Sequence, residues 1–167
     1  IDPCDALEIE HVVPAIASHP GPVYMRLLRG QVPLVLDEYG YRFELGKAKL
    51  LRDGRDVLIV SSGLLTMRAL EAATLLAADR VDVGVLHVST IKPLDVATIV
   101  REAGKAGRLV VVAENHSRIG GLGEATGTLS ASTLTIEGTY RGLVSPATSV
   151  RVYESARMGM RGTLVGE

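Results

Sequence analysis

The sequence predicts an α/β domain with a largely parallel sheet and helices on both of its faces, a three-layer αβα arrangement. Three apolar runs alternate with longer segments of helical pattern, and the runs lie at residues 56–60, 82–88 and 108–113. Continuous runs of Val, Ile and Leu are typical of parallel strands buried on both faces, and the segments between them are long enough for crossover helices. In such sheets ligands usually bind at the carboxyl ends of the strands. These ends are residues 61–63, 89–90 and 113–123.

Length and composition restrict the class of protein. At 167 residues the chain suits one domain, or one domain plus a piece of another. A formal net charge of −1 indicates neither a nucleic-acid partner nor attraction to an anionic membrane. Cys4 is the single cysteine, which excludes an internal disulfide and fits a reducing compartment. No apolar stretch approaches the ~20 residues of a membrane span, so we expect a cytoplasmic protein without a membrane partner.

The first part of the chain predicts a helix, a short strand and an extended connector, in that order. Asp5 is a suitable N-cap, and Glu8 three residues later completes a capping-box pattern. Pro14 is expected to kink or end this helix, because proline donates no backbone hydrogen bond. After a Pro- and Gly-rich breaker, residues 23–30 predict a strand, and residues 31–46 have no helical period and predict a connector.

The remaining elements alternate between strand and helix. Residues 47–54 suggest an edge strand, and a helix is predicted over residues 65–78. The inward face of this helix is expected to hold Leu65, Ala69, Ala72, Leu75 and Leu76. A second helix begins at residues 92–95, and a glycine-rich turn leads from the third parallel strand into another helix.

The chain beyond Ala125 carries a weaker signal. It is rich in Thr, Ser, Gly and Arg, contains no lysine and shows no sustained period. We therefore expect an irregular tail over residues 126–167, with one or two short strands such as Thr133–Ile136 or Ser149–Tyr153.

The glycine-rich turn has two interpretations. Gly120, Gly121 and Gly123 resemble a phosphate-cradling loop, since glycines let backbone N–H groups approach an anion at the start of a helix. Their GGxG spacing, however, matches neither of the common phosphate-binding patterns. A tight turn between strand and helix is the simpler interpretation, because glycine often only supplies unusual backbone angles.

A polar cluster precedes this turn, where the third strand ends. Glu114, Asn115, His116 and Ser117 bring together an acid, an amide, an imidazole and a hydroxyl, which are the groups of general acid–base catalysis. The same residues could equally serve as helix caps and loop hydrogen bonds. No second histidine or carboxylate is placed by the sequence to complete a catalytic triad. His87, on the second parallel strand, has no metal-ligand spacing and is expected to be structural.

Arg29 is the best-placed candidate for a ligand contact outside the sheet. It follows the short strand and precedes Gly30, so its guanidinium could reach a phosphate with two parallel hydrogen bonds. Arg26 lies three residues earlier and, on an extended chain, points to the opposite face. From the residues alone, a surface ion-pair residue is the simpler interpretation of Arg29.

Several motifs together resemble the transketolase family of thiamine-diphosphate-dependent enzymes, and specifically its C-terminal section. They occur in the family's order and are PCDALEIE, GPVYMRLLRG, FELGKAKLLRDGRDVLIVSSGLLTMRALEAA, VLHVSTIKPLD and VVVAENHSRIGGLGE, over about residues 3–125. The resemblance implies four regions. Residues 1–30 would end a pyrimidine-binding α/β domain, residues 31–46 would be a connector, residues 47–125 the C-terminal α/β domain, and residues 126–167 a divergent tail.

The resemblance also implies a function. The whole enzyme would move two-carbon ketol units between sugar phosphates, and Arg29 would match the arginine that binds the substrate phosphate. The motifs that hold thiamine diphosphate and Mg²⁺ would lie upstream of Ile1, so the isolated chain is not expected to bind these cofactors or to be active. Its expected partner is an N-terminal cofactor-binding section or subunit, within a dimer or a larger homo- or hetero-oligomer.

Two further classes of protein remain open from the sequence. One comprises deoxyxylulose-phosphate synthase and the β chains of 2-oxoacid dehydrogenases, which share this order of domains. The other is a non-catalytic interaction module, which the absence of cofactor motifs favours.

Overall fold

The computed structural model describes residues 1–105, 107–116, 120–127 and 149–151. These residues form four helices and five strands around one sheet, with a short 3₁₀ turn at Asp37–Tyr39. The helices are α1 (Ala6–Ala17), α2 (Leu64–Ala78), α3 (Val96–Ala103) and α4 (Leu122–Gly127). The strands are β1 (Lys49–Arg52), β2 (Val57–Ser61), β3 (Val83–His87), β4 (Leu109–Glu114) and β5 (Ser149–Arg151).

The sheet has the strand order β1-β3-β2-β4-β5. β2 lies at its centre and pairs in parallel with both β3 and β4, whereas the two edge strands run antiparallel to their neighbours. The predicted fold class is therefore confirmed: the three apolar runs are the parallel strands, and residues 49–52 form an edge strand. The predicted short strand at residues 149–153 is observed as β5, while Thr133–Ile136 lies outside the described residues.

Side-chain alternation along the strands divides the core into two layers. Leu58 and Val60 of β2 face α3 and α4, as does Leu86 of β3. Val83 and Val85 of β3 point to the other face, where they contact the alanines of α2. Helices therefore cover both faces of the sheet. Because both faces are buried, the central strands are continuous apolar runs in the sequence.

Asp5 and Asp95 start the two helices that they precede. The Asp5 carboxylate accepts a hydrogen bond from the Glu8 N–H at 3.1 Å, so the predicted N-cap is confirmed. The Asp95 carboxylate accepts the Thr98 N–H at 3.1 Å and, with its other oxygen, the Ala48 N–H at 3.0 Å. Each cap thus satisfies orphan donors of a helix, and Asp95 also ties α3 to the start of β1.

The structure corrects the prediction that Pro14 ends the first helix. α1 continues to Ala17 with Pro14 inside it. Pro14 and Glu10 are both exposed, so water can serve the Glu10 carbonyl that loses its partner. At the helix end the Ser18 hydroxyl donates to the Ala15 carbonyl at 3.2 Å, which satisfies one of the last carbonyl groups.

The strand predicted over residues 23–30 is also not formed in the described structure. The segment is outside any helix or strand. Within the described part of the chain its backbone bonds are two, both with Ile1: the Ile1 terminus donates to the Tyr24 carbonyl, and the Arg26 N–H donates to the Ile1 carbonyl. A strand requires a ladder of such bonds with a neighbour. The residue types favoured a strand, but two bonds to a single residue do not make one.

The predicted inward face of α2 is wrong in part. Leu75 is 73% exposed, and Leu65 is only half-buried. The residues of α2 that are buried are Thr66, Met67, Ala69, Leu70 and Ala73. Apolar residues occur all around this helix, so the sequence pattern does not single out one face, and contact with β3 decides it.

We expect Gly54→Ala to destabilise the chain by about 2 kcal/mol or more, because Gly54 packs directly on the backbone of β3. A methyl group there would overlap Val83 and Gly84 and would lie 2.8 Å from the Asp82 carbonyl oxygen. Urea unfolding followed by circular dichroism measures the loss. The control is Gly40→Ala, where no atom lies within 4 Å and only the φ of 55° opposes a side chain. Its cost should be about 1 kcal/mol, and equal losses in both variants would contradict the close approach.

Candidate functional site

The carboxyl ends of β2 and β4 form the position where doubly wound sheets bind ligands. β3 and β4 flank β2 on opposite sides, and the helices that follow β2 and β4 cover opposite faces, so the chain changes direction between these two strands. A pocket of about 470 Å³ lies at this position. Its lining includes strand-end residues and residues from the start of the chain, namely Asp2, His19, Tyr24, Arg26, Ser62, Lys92, Glu114, His116, Gly120 and Gly121.

Asp2 reaches into the crevice between these strands and is fixed there by both its backbone and its side chain. Its N–H donates to the Ser89 carbonyl at 2.8 Å, and its carbonyl accepts the Gly63 N–H at 3.1 Å. Its carboxylate accepts the Ser62 hydroxyl at 3.0 Å. Polar groups of the loops that follow β2 and β3 are therefore hydrogen-bonded to Asp2.

Gly63 makes room for this contact. Its φ is 52°, and an added Cβ would lie 2.6 Å from the Asp2 carboxylate. Both the backbone angle and the close approach exclude a side chain at this position. The sequence showed the SSG turn to be a strand end, but nothing in the local pattern indicated that Asp2, far away in the chain, bonds to it.

Arg26 also lines the crevice, where it bonds to both Asp2 and Asn115. Its Nε donates to Asp2 at 3.0 Å and its Nη1 donates to the Asn115 carbonyl at 2.9 Å. A further hydrogen bond joins Nη2 to the Asn115 side-chain oxygen. The Arg26 side chain is 19% exposed and that of Asp2 is 9% exposed, so the pair is screened from water. Residues 1–30 are thereby joined to the ends of β2 and β4.

The Glu114 carboxylate occupies the start of α4. One oxygen accepts the Leu122 N–H at 2.7 Å and the other accepts the Gly123 N–H at 2.9 Å. Glu114 is 2% exposed, and a Cβ at Gly121 would overlap its carboxylate. The backbone donors of the glycine-rich turn, which could have held an external anion, are directed at Glu114. In this arrangement the carboxylate acts as a helix cap.

The other residues of this cluster lie nearby. His116 is half-buried and lines the pocket, as does the exposed Gly120, whose φ is 78°. Gly123 is buried at the start of α4. Ser117 lies outside the described residues.

Arg29 is not brought to the pocket. Its side chain is exposed and makes no hydrogen bond or ion pair within the described parts of the chain. The Arg29 guanidinium is thus available to a ligand or to a partner, whereas Arg26 and Asp2 bond to each other and line the pocket at the strand ends.

A second set of buried polar side chains, which the sequence did not reveal, joins α1 to the sheet. The Glu8 carboxylate accepts His87 Nε2 at 2.9 Å and the Tyr41 hydroxyl at 2.5 Å. On the other side of the ring, His87 Nδ1 lies 2.7 Å from the Thr66 hydroxyl, which contacts Ser61. All five residues are at most 3% exposed. His87 is structural in this sense, as its position on β3 suggested.

Burial and mutual contact shift the titration of this set. Burial would by itself raise the pKa of Glu8, but the His87 imidazole and the hydrogen bonds from Tyr41 and the Cys4 N–H outweigh it, and the net result is a lowered pKa. Burial, followed by the neighbouring carboxylates, raises the pKa of the Tyr41 hydroxyl and of the Cys4 thiol well above their ordinary values. Cys4 is thus held as a neutral thiol and is not a thiolate nucleophile.

Two further features of the described residues bear on function. Among them, no group of three or more His, Cys, Asp or Glu side chains is arranged to hold a metal ion. None of the helices that the structure describes is long and apolar enough to cross a membrane.

Comparison with known proteins now identifies the class. A family model of the transketolase C-terminal domain matches residues 46–159, well over half of the chain. The chain therefore belongs to the transketolase family, as the motifs suggested, and the sheet with its helices is the C-terminal domain of that family. The match extends beyond Ala125, into the region for which the sequence predicted a divergent tail.

Three similar proteins align with most of this chain. A transketolase family protein of Sinorhizobium fredii, described as uncharacterized, is 78% identical over 75% of this chain and 36% of its own length. An apulose-4-phosphate transketolase subunit of Phocaeicola vulgatus is 40% identical over 72% of this chain and 38% of its own. A solved split-gene transketolase, described as an inactive β4 tetramer, has a TM-score of 0.72 at 40% identity and covers 80% of this chain and 44% of that one. The chain thus spans less than half the length of these relatives.

We expect Glu8→Gln to lower stability at neutral pH by about 2 kcal/mol, because it removes a buried carboxylate that accepts hydrogen bonds from His87 and Tyr41. Since folding lowers the pKa of Glu8, its contribution is complete above the ordinary value of ~4.3 and is lost as the pH falls through the lower pKa of the folded chain. The difference between the two proteins should therefore shrink as the pH falls below this ordinary value.

Urea unfolding of both proteins at several pH values tests this expectation. Glu10→Gln is the matched control, because Glu10 lies on the same helix but is exposed. It should change stability by less than ~0.5 kcal/mol at every pH. A stability difference for Glu8→Gln that did not vary with pH would contradict a stabilising role of the charged Glu8 carboxylate.

Proposed function

We propose that this chain is the C-terminal section or subunit of a transketolase-like enzyme that transfers two-carbon ketol units between sugar phosphates. The observation that carries this proposal is the way residues 1–30 bond to the crevice at the strand ends. In a doubly wound sheet that crevice is the usual place for a ligand. Here Asp2 and Arg26 form part of its wall and take up polar groups of the strand ends, so we assign the sheet a supporting role for residues 1–30 and the reaction to another section of the enzyme.

Thiamine diphosphate and Mg²⁺ belong, in this proposal, to the cofactor-binding section. When bound, the thiazolium ring supplies the nucleophile and the electron sink that ketol transfer needs. The described residues offer no acidic cluster for Mg²⁺, and the donors of the glycine-rich turn are directed at Glu114. This chain would contribute subunit contacts, support for the neighbouring domain and, through Arg29, a contact to the substrate phosphate.

The relatives support an arrangement with separate subunits. The Phocaeicola vulgatus protein is named as one subunit of a transketolase that acts on a sugar phosphate, and the solved relative is named as the β4 form of a split-gene enzyme. We infer that this chain acts with an N-terminal partner in an oligomer of the same kind.

Reconstitution tests the proposal. The isolated chain should bind neither thiamine diphosphate nor Mg²⁺ by isothermal titration calorimetry, and ketol transfer should appear when it is mixed with the cofactor-binding section. A mixture that assembled, bound the cofactor and still transferred no ketol unit would overturn the enzymatic role and favour an interaction module. Cofactor binding by the isolated chain would contradict the division of labour between the sections.

We expect Arg29→Ala in the assembled enzyme to raise KM for a phosphorylated sugar about tenfold or more and to spare its unphosphorylated counterpart. The reason is that a charge-assisted contact to the phosphate is lost while the ketol chemistry is untouched. Steady-state kinetics with ribose 5-phosphate and with ribose make the comparison. Arg68→Ala is the control, because Arg68 is an exposed arginine of α2 paired with Glu71. Equal effects of Arg29→Ala on both sugars would remove the phosphate role.

A further inference from the structure

The extended segment of residues 23–29 has few backbone contacts to hold it. Its described backbone hydrogen bonds are the two to Ile1, from the Ile1 terminus to Tyr24 at 2.7 Å and from Arg26 to Ile1 at 2.9 Å. Two of its large apolar side chains face solvent, since Tyr24 is 75% and Leu27 56% exposed. A segment with so little ladder bonding and burial opens easily unless a side chain anchors it.

Arg26 provides that anchor. Its Nε and Nη2 donate to the two Asp2 oxygens at 3.0 and 3.4 Å, and its Nη1 donates to the Asn115 carbonyl at 2.9 Å. Nη2 also contacts the Asn115 side-chain oxygen. One guanidinium thus joins the segment to residue 2, which is itself fixed to β2 and β3, and to the end of β4. The planar guanidinium holds its donors in a fixed arrangement that suits these two acceptor residues, which the single ammonium of lysine does not reproduce.

The surroundings of the two arginines separate their roles. Arg26 points into the domain, where its side chain is 19% exposed and bonds to Asp2 and Asn115. Arg29, three residues later, is exposed. Because no described contact holds the Arg29 side chain, its position is determined by the backbone that Arg26 fixes.

We propose that Arg26 is a positioning residue for the substrate phosphate: it does not touch the ligand but fixes the segment that presents Arg29. The inference rests on the proposed phosphate role of Arg29. It adds that affinity for the phosphate depends on the buried contacts of Arg26 with Asp2 and Asn115, on the far side of the segment.

Hydrogen–deuterium exchange on the full chain tests the anchor without any assay of activity. Arg26→Ala should speed exchange of the amide of residue 26, the N–H of the segment that donates to the Ile1 carbonyl, about tenfold or more relative to its intrinsic rate, because the substitution leaves Asp2 as an unpaired, largely buried charge. Arg26→Lys keeps the charge but not the fork, and should give a smaller increase. The control is Arg55→Ala, which removes an arginine paired with Asp82 at 2.9 Å but exposed. Unchanged exchange in both Arg26 variants would overturn the anchor.

Kinetics of the assembled enzyme test the link to phosphate. Arg26→Lys should raise KM for ribose 5-phosphate severalfold, leave kcat nearly unchanged and spare ribose. In the Arg29→Ala background the same substitution should have no further effect on KM, since Arg26 acts only through Arg29. A structural role alone would instead change kcat, or both sugars, alike. Full additivity of the two substitutions would overturn the proposal.

Because Arg26→Ala risks misfolding, Asn115→Ala serves as a second variant. It removes one acceptor of Arg26 and leaves the pair with Asp2 intact, so it should change KM in the same direction by a smaller factor. Failure of the proposed function is distinguishable: Arg29→Ala would then affect both sugars alike, and the phosphate part of this inference would fall with it. An effect of Arg29→Ala confined to the sugar phosphate, with none of Arg26→Lys or Asn115→Ala, would overturn only the positioning role.

Discussion

The contact of Asp2 with the strand ends is the interaction on which the rest of this arrangement depends. Its backbone bonds the loops after β2 and β3, and its carboxylate joins Ser62 to Arg26. A buried carboxylate is costly unless hydrogen bonds or a cationic partner compensate it, and here Arg26 supplies the charge. The same pair lines the crevice that a doubly wound sheet usually offers to a ligand, and it joins residues 1–30 to the sheet.

The Glu8 and His87 pair attaches the same region at a second point. It joins α1 to the end of β3, and Tyr41 of the connector also bonds to Glu8. Each attachment brings together residues far apart in the sequence through short, buried, charge-assisted bonds, which are strong only in the geometry of the folded chain. Residues 1–17 are therefore a packed part of this structure, although the family model matches only from residue 46.

The sheet could be predicted from the sequence because the residue patterns that indicate its strands are local. The continuous apolar runs, the Asp5 cap and the approximate extents of α2 and of β5 follow from composition and period over short windows. Prediction from the sequence failed where neighbours decide. Residues 23–30 have strand-forming side chains but lack a ladder partner in the described structure. The inward face of α2 is chosen by β3, and α1 passes through Pro14 because water can replace the missing bond.

By itself, the sequence determined the class of fold, the strand ends as the place to look, and the family, because motif order and apolar periodicity are properties of the linear chain. Only the tertiary structure decided which groups meet. It placed Glu114 on the donors of the glycine-rich turn, Asp2 and Arg26 in the crevice, and Arg29 outside it. Contacts between residues 2 and 26, or 26 and 115, arise from the path of the chain through space, and no local pattern of residue types encodes that path.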